Sequence, residues 1–194
     1  MAALAVVYHS KDGHTKIMAE GVCAGASSVA GVETELFVVE AKQIIEGRWK
    51  NDAMLSALDG VDAIVFGCPT YMGNISGAFK LFLDATLQRW SSRAWVDKVA
   101  AGFTVSSTPG GDKQNTLVSL ATCAMQLGMI WVGLEQIPLN PKELNRLSFY
   151  LGAAGQALYG GSEASLYPGD RETGALLGQR VARIARTLEV GRQG

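Results

Sequence analysis

The sequence predicts an α/β fold, a doubly wound, five-stranded parallel sheet with helices on both faces, in one domain spanning residues 1–194. Three observations carry this. Short aliphatic runs that do not alternate in polarity, such as Leu4 to Tyr8 and Ala63 to Gly67, read as strands buried on both faces. Segments with helical periodicity separate them, as crossover helices separate parallel strands. Polar, glycine-containing stretches follow the strands, where the ligand-binding loops of such sheets gather at the carboxyl edge.

Leu4 to Tyr8 is the first strand. His14 to Val29 is a helix with Ile17, Met18, Val22 and Cys23 on one face, its Gly21 and Gly25 suiting close approach to the sheet. Glu33 to Val39 is the second strand, and a short helix runs from about Asp52 to Leu58. Ala63 to Gly67 is the third strand, ending at Cys68-Pro69, and Gly77 to Thr86 is helical with Phe79, Phe82 and Leu83 as its packing face. Val99 to Val105 is the fourth strand, Thr116 to Leu127 a helix, and Met129 to Val132 the fifth strand. Leu134 to Gly161 reads as irregular and loop-rich. Glu172 to Leu188 closes the chain as an amphipathic helix with Leu176, Leu177, Val181, Ile184 and Leu188 inward.

Lys and Arg number 17 against 18 Asp and Glu, a net charge of −1. That balance gives no electrostatic case for a nucleic-acid or anionic-membrane partner. Cys23, Cys68 and Cys123 form no Cys-x-x-Cys pair, and His9 and His14 are the sole histidines, so neither a zinc site nor a disulfide framework is expected. Met1 to Tyr8 has no basic leader, and no apolar run reaches membrane-spanning length. The expectation is a cytoplasmic protein with no membrane partner.

Three loops follow the first, third and fourth strands. Ser10-Lys11-Asp12-Gly13-His14-Thr15 joins a strand to a helix, where unpaired backbone N–H groups and the helix dipole favour a phosphate. An ordinary strand-to-helix turn is the competing reading. The stretch lacks the Gly-Lys-Ser/Thr ending of a nucleotide-triphosphate loop and the G-x-G-x-x-G dinucleotide fingerprint. A phosphoacceptor domain is excluded because the third strand ends in Cys68-Pro69-Thr70 instead of an aspartate. Pro69-Thr70-Tyr71-Met72-Gly73-Asn74 offers a flat apolar surface and accessible amides. Ser106-Ser107-Thr108-Pro109-Gly110-Gly111 offers more amides. Taken together, one loop for a phosphate and two for a planar polar ring fit FMN better than a nucleoside triphosphate.

Ser10-x-x-Gly13-His14-Thr15, Pro69 to Asn74, Ser76-Gly77-x-x-Lys80-x-Phe82-Leu83-Asp84 and Ser106-Ser107-Thr108 resemble the flavodoxin-like NAD(P)H:quinone oxidoreductases, nearest the subgroup of the tryptophan-repressor-binding protein. The resemblance covers most of residues 4–133. It implies a flavodoxin-like sheet with strand order 2-1-3-4-5. It implies that Ser10 to Thr15 hold the FMN phosphate, with Lys11 available to neutralise it, and that Pro69 to Asn74 and Ser107 to Gly111 hold the isoalloxazine and ribityl groups. Trp90 stands where those proteins have an aromatic wall for the substrate, though a core or interface position is an equal reading. NADH or NADPH is the implied reductant, passing hydride to flavin N5, and a quinone the acceptor, in a two-electron ping-pong exchange with no catalytic side chain. A homo-oligomer, dimer or tetramer, is implied too, with Trp90, Trp95 and residues 134–161 as interface candidates.

Asp12 stands where these relatives often carry an aromatic residue, and Gln126-Leu127-Gly128 where they often carry a histidine. The loop at Pro109 is shorter than theirs. At the level of sequence, a flavodoxin-type one-electron carrier, a flavin or azo-compound reductase, and a regulatory partner with an incidental flavin all stay open. The balanced charge weighs against the carrier, because such carriers steer by a strong acidic field.

Overall fold

The computed structural model describes residues 1–159 and 163–193. The elements run β1 (Ala2–Tyr8), α1 (His14–Ser27), β2 (Val32–Val38), a small hairpin β3 (Ile44–Ile45) and β4 (Arg48–Trp49), α2 (Asp52–Asp59), β5 (Ala63–Tyr71), β6 (Asn74–Ile75), α3 (Gly77–Asp84), α4 (Leu87–Ser92), β7 (Val99–Ser106), α5 (Lys113–Gln126), β8 (Ile130–Trp131), β9 (Ala153–Leu158), β10 (Ser165–Leu166) and α6 (Asp170–Gln193). The main sheet is ordered β10-β9-β7-β5-β1-β2. Its centre is parallel, with Val6 of β1 opposite both Leu36 of β2 and Val65 of β5.

Two apolar cores flank the sheet, as a parallel sheet covered on both faces requires. On one side Leu4, Val6, Val65 and Phe103 meet Met18 and Val22 of α1 and Leu177 and Val181 of α6, with Leu176, Ile184 and Leu188 partly buried alongside. On the other, Val7, Ile64 and Phe66 meet Met54, Leu55 and Leu58 of α2, Phe79, Phe82 and Leu83 of α3, and Leu120 and Ala124 of α5.

The small residues of α1 serve a different contact from the one expected. They bring α1 against α6, not against the sheet. A Cβ on Gly25 would lie 1.9 Å from the Ala175 carbonyl oxygen, and one on Gly178 would lie 2.0 Å from that of Val22. The two helices thus touch backbone to backbone, a packing only glycine allows.

Three expectations need correction. The fifth strand is split. Ile130–Trp131 pairs with Val99 and Ala100 at the start of β7, and after residues 133–152 the chain returns as β9 to pair Phe103–Ser106 with Ala153–Gln156. Residues 134–161 therefore contain a strand, although Gly160 and Gly161 lie outside the described residues. The strand escaped notice because Ala-Ala-Gly-Gln-Ala-Leu has no β-branched or aromatic signal. It is small because it packs under the helix layer: a Cβ on Gly155 would lie 3.0 Å from Met18 Cε. Next, β5 runs on to Tyr71 and turns back as a two-residue hairpin to β6, with Met72 (φ 47°) and Gly73 (φ 80°) both left-handed, as such tight turns require. Pro69 is tolerated there because Gly67 is the last residue of β5 paired with β1, whose following His9 N–H donates to the Gly67 carbonyl. Two residues on, the Pro69 nitrogen faces the same side with no ladder partner to serve. Finally, Trp95 is fully buried, and its indole N–H donates to Asp59 at 2.7 Å, which removes it as an interface residue.

Candidate functional site

At the carboxyl edge of the sheet the three loops meet around a cavity of about 100 Å³, enough for a phosphate group but not for a three-ring heterocycle. Ser10, Lys11, Asp12, His14 and Thr15 line it from the first loop, Pro69, Thr70 and Tyr71 from the second, and Ser106 and Ser107 from the third. Of the remaining expected residues, Gly13 lies within the first loop, Met72, Gly73 and Asn74 form the exposed hairpin end, and Thr108, Pro109, Gly110 and Gly111 continue the third loop outward. Trp90 is not brought to the cavity. It sits on α4, 45 % exposed, in a separate groove of about 710 Å³ between α3, α4 and α5, which begins at Asn74 and Ile75.

The first loop leaves backbone donors unpaired at the start of α1. The ladder of α1 starts with Ile17 N–H on the Gly13 carbonyl, so the amides before Ile17 lie outside it. No side chain caps this end, and the first turn holds no acidic residue. Gly13 has φ 89°, and a Cβ there would meet Ala164 Cβ at 2.9 Å, so the tight entry to the helix needs glycine. The Ser10 hydroxyl oxygen is buried and has no hydrogen-bond partner among the described residues. A buried hydroxyl is rarely left unpaired, and a phosphate oxygen in the cavity would satisfy it. Ser10, the helix start and the cavity size therefore fit the phosphate of FMN.

Sequence reasoning missed Val105, Ala157 and Tyr159, which complete the wall. Two of these follow from the unrecognised strand β9. His14 ties the first loop to that strand, its Nε2 lying 3.0 Å from the Leu158 carbonyl oxygen, so Nε2 carries the proton. Its ring lies 4.9 Å from that of Tyr159. Asp12 is exposed at the mouth. Burial, and next the Asp12 charge, raise the Tyr71 phenol above its ordinary value.

The second and third loops are joined at their roots by a buried hydroxyl relay. Thr104 donates to the Cys68 carbonyl at 2.7 Å, so in its 2.8 Å contact with Thr70 it accepts. Thr70 has then spent its proton, and Thr116 of α5 donates to it at 2.8 Å. Asn115 Nδ2 donates to the Gly73 carbonyl at 2.8 Å, tying the hairpin turn to α5. His9, given no role by the sequence, holds Ser76 at 2.9 Å through Nδ1, and burial lowers its pKa. Cys68 is fully buried, and burial pushes its thiol up to about 12, which makes it a structural thiol and not a nucleophile. Among the described residues, no helix is long and apolar enough to cross a membrane.

Comparison with known proteins agrees with this geometry. The family model of NADPH-dependent FMN reductases matches residues 3–141. A protein named flavodoxin FldP from Pseudomonas aeruginosa is 38 % identical, covering 97 % of this chain and 99 % of its own. An NAD(P)H dehydrogenase (quinone) from Aromatoleum aromaticum is 32 % identical, covering 96 % and 97 %. The crystal structure of a flavodoxin, WrbA-like protein from Agrobacterium tumefaciens is 40 % identical, superimposes with a TM-score of 0.76, and covers 96 % of this chain and 99 % of that one. With a flavodoxin-like sheet, a phosphate-sized cavity and these relatives, the chain belongs to the NADPH-dependent FMN reductase family of oxidoreductases, which work with FMN and a reduced nicotinamide.

Proposed function

We propose that this protein is an NAD(P)H dehydrogenase (quinone) that binds FMN across its three carboxyl-edge loops. The observation that carries the reading is the buried Ser10 hydroxyl, unpartnered among the described residues, beside the start of α1, which none of their side chains caps. When bound, FMN supplies the redox chemistry, accepting hydride from a reduced nicotinamide and returning two electrons to a quinone. The chain's own part is to hold and to polarise. Ser10, Gly13, Thr15 and the first amides of α1 bind the phosphate. Pro69 to Asn74 and Ser106 to Gly111 hold the ring and ribityl chain, and their amides supply the fixed dipoles that favour charge arriving there. Trp90 is assigned to the acceptor or to a contact between subunits, since its groove joins the ring end at Asn74.

The quinone is supported by the name of the Aromatoleum aromaticum relative at 32 % identity. Steady-state turnover with NADH or NADPH and a water-soluble quinone tests it. Parallel double-reciprocal lines are expected, and intersecting lines would contradict an exchange in which both substrates use one face.

A second reading, a flavodoxin-type electron carrier, is favoured by the relative named flavodoxin at 38 % identity. The net charge of −1 speaks against it. A carrier would show no quinone turnover from either nicotinamide. We also propose a homo-oligomer, dimer or tetramer, in contact through the groove beside Trp90, where Leu87 and Val118 are exposed. Light scattering giving a monomer would remove this.

A further inference from the structure

We infer that Lys113 is a positioning residue that holds the third loop in its ring-binding form. The inference rests on the reading of Ser106 to Gly111 as a loop for the FMN ring.

Lys113 opens α5, a position where a lysine is ordinarily solvated and where its charge opposes the helix dipole. Here its side chain is fully buried. Gly111 (φ 54°) and Asp112 (φ 55°) are successive left-handed residues, and this reversal turns Lys113 back beneath the loop it has just left. Its Nζ donates to the carbonyls of Thr108 and Pro109, the second at 3.2 Å. The loop's other ties are a long one from Ser106 Oγ to the Thr108 carbonyl at 3.4 Å and one from the Lys113 N–H to the Gly110 carbonyl at 3.2 Å. Residues 107–112 are otherwise exposed. A loop so poor in contacts samples many forms unless something fixes it, and the buried ammonium is what fixes this one. With both carbonyls drawn inward to Nζ, the amides of the loop are left free to face a ligand.

The ammonium is also tuned. Burial lowers it to about 8, with Asp170 of α6 pulling it up and Arg146 of the segment between β8 and β9 pushing it down. Asp170 is itself 1 % exposed and fixed, accepting from the Gln156 N–H at 2.7 Å and from Arg146 at 3.0 Å. Strand β9 and α6 thus set the charge that sets the loop. Above pH 8 the amine loses its proton and its attraction to Asp170, and the loop loosens.

The test is titration of apoprotein with FMN and with riboflavin, followed by flavin fluorescence at pH 7 and at pH 9.5. Riboflavin lacks the phosphate and reads the ring loops alone. In wild type both ligands are expected to weaken severalfold as the pH crosses about 8. Lys113→Met is expected to bind both roughly tenfold more weakly at pH 7, by a common factor, and to lose the pH step. The wild-type pH series needs no variant and carries the test should Lys113→Met not fold. An absent step in wild type, a step that persists in Lys113→Met, or a loss confined to FMN would overturn the role of Lys113 while leaving the flavin site intact. Wild-type protein that binds neither ligand would overturn the flavin reading and this inference with it.

Discussion

The two ends of the cradle are built differently. At the end proposed for the phosphate, His14 and Thr15 are buried at the start of a 14-residue helix packed along α6, and the groups proposed to bind are backbone amides with Ser10 and Thr15. At the ring end, Met72 and residues 107–112 stand in solvent, held by side chains reaching from α5: Asn115 to Gly73, Thr116 to Thr70, Lys113 to Thr108 and Pro109. The first end is rigid because the fold makes it so. The second is rigid only through its tethers, so it can vary without cost to the fold.

The largest effect should come from the far end of the helix that the first loop opens, where α1 meets α6. Gly25→Val forces a side chain into the Ala175 backbone, and we expect a loss of about 3 kcal/mol or more. In a thermal melt this corresponds to a fall of roughly 10 °C. A variant melting like wild type would show that α1 and α6 do not touch as described.

Ser10→Ala separates the two ends. It should weaken FMN by roughly 10- to 100-fold, the value of a hydrogen bond to a charged group, and leave riboflavin unchanged. If riboflavin weakened equally, the ends would not be separable and Ser10 would not face a phosphate. Asn115→Ala is the mirror experiment with the smallest effect. Losing its bond to Gly73 should weaken FMN and riboflavin together by a few-fold. A change confined to FMN would place the hairpin turn at the wrong end of the ligand.

The same division explains what could be read without a structure. Ser10 to Thr15 is a local device, a strand, a turn and a helix start in consecutive residues, so its chemistry is visible in order. The tie of Asn115 to Gly73 and the relay of Thr70, Thr104 and Thr116 join residues up to 46 positions apart, and no window of sequence contains them. Lys113 carries no signal in the sequence, because it is two left-handed residues, Gly111 and Asp112, that turn it inward. Strand β9 was hidden because tertiary packing against α1 and α6 chose small residues over strand formers. Trp95 could not be told from Trp90 by type, although Asp59 buries one and leaves the other in a groove.

The central claim is that this cradle presents a flavin to a nicotinamide instead of only storing electrons. Anaerobic mixing of the FMN-loaded protein with NADPH, and separately with NADH, tests it most directly. At least one of them should bleach the flavin's visible absorbance, and an added quinone should restore it. A flavin that stays yellow with both reductants would contradict it.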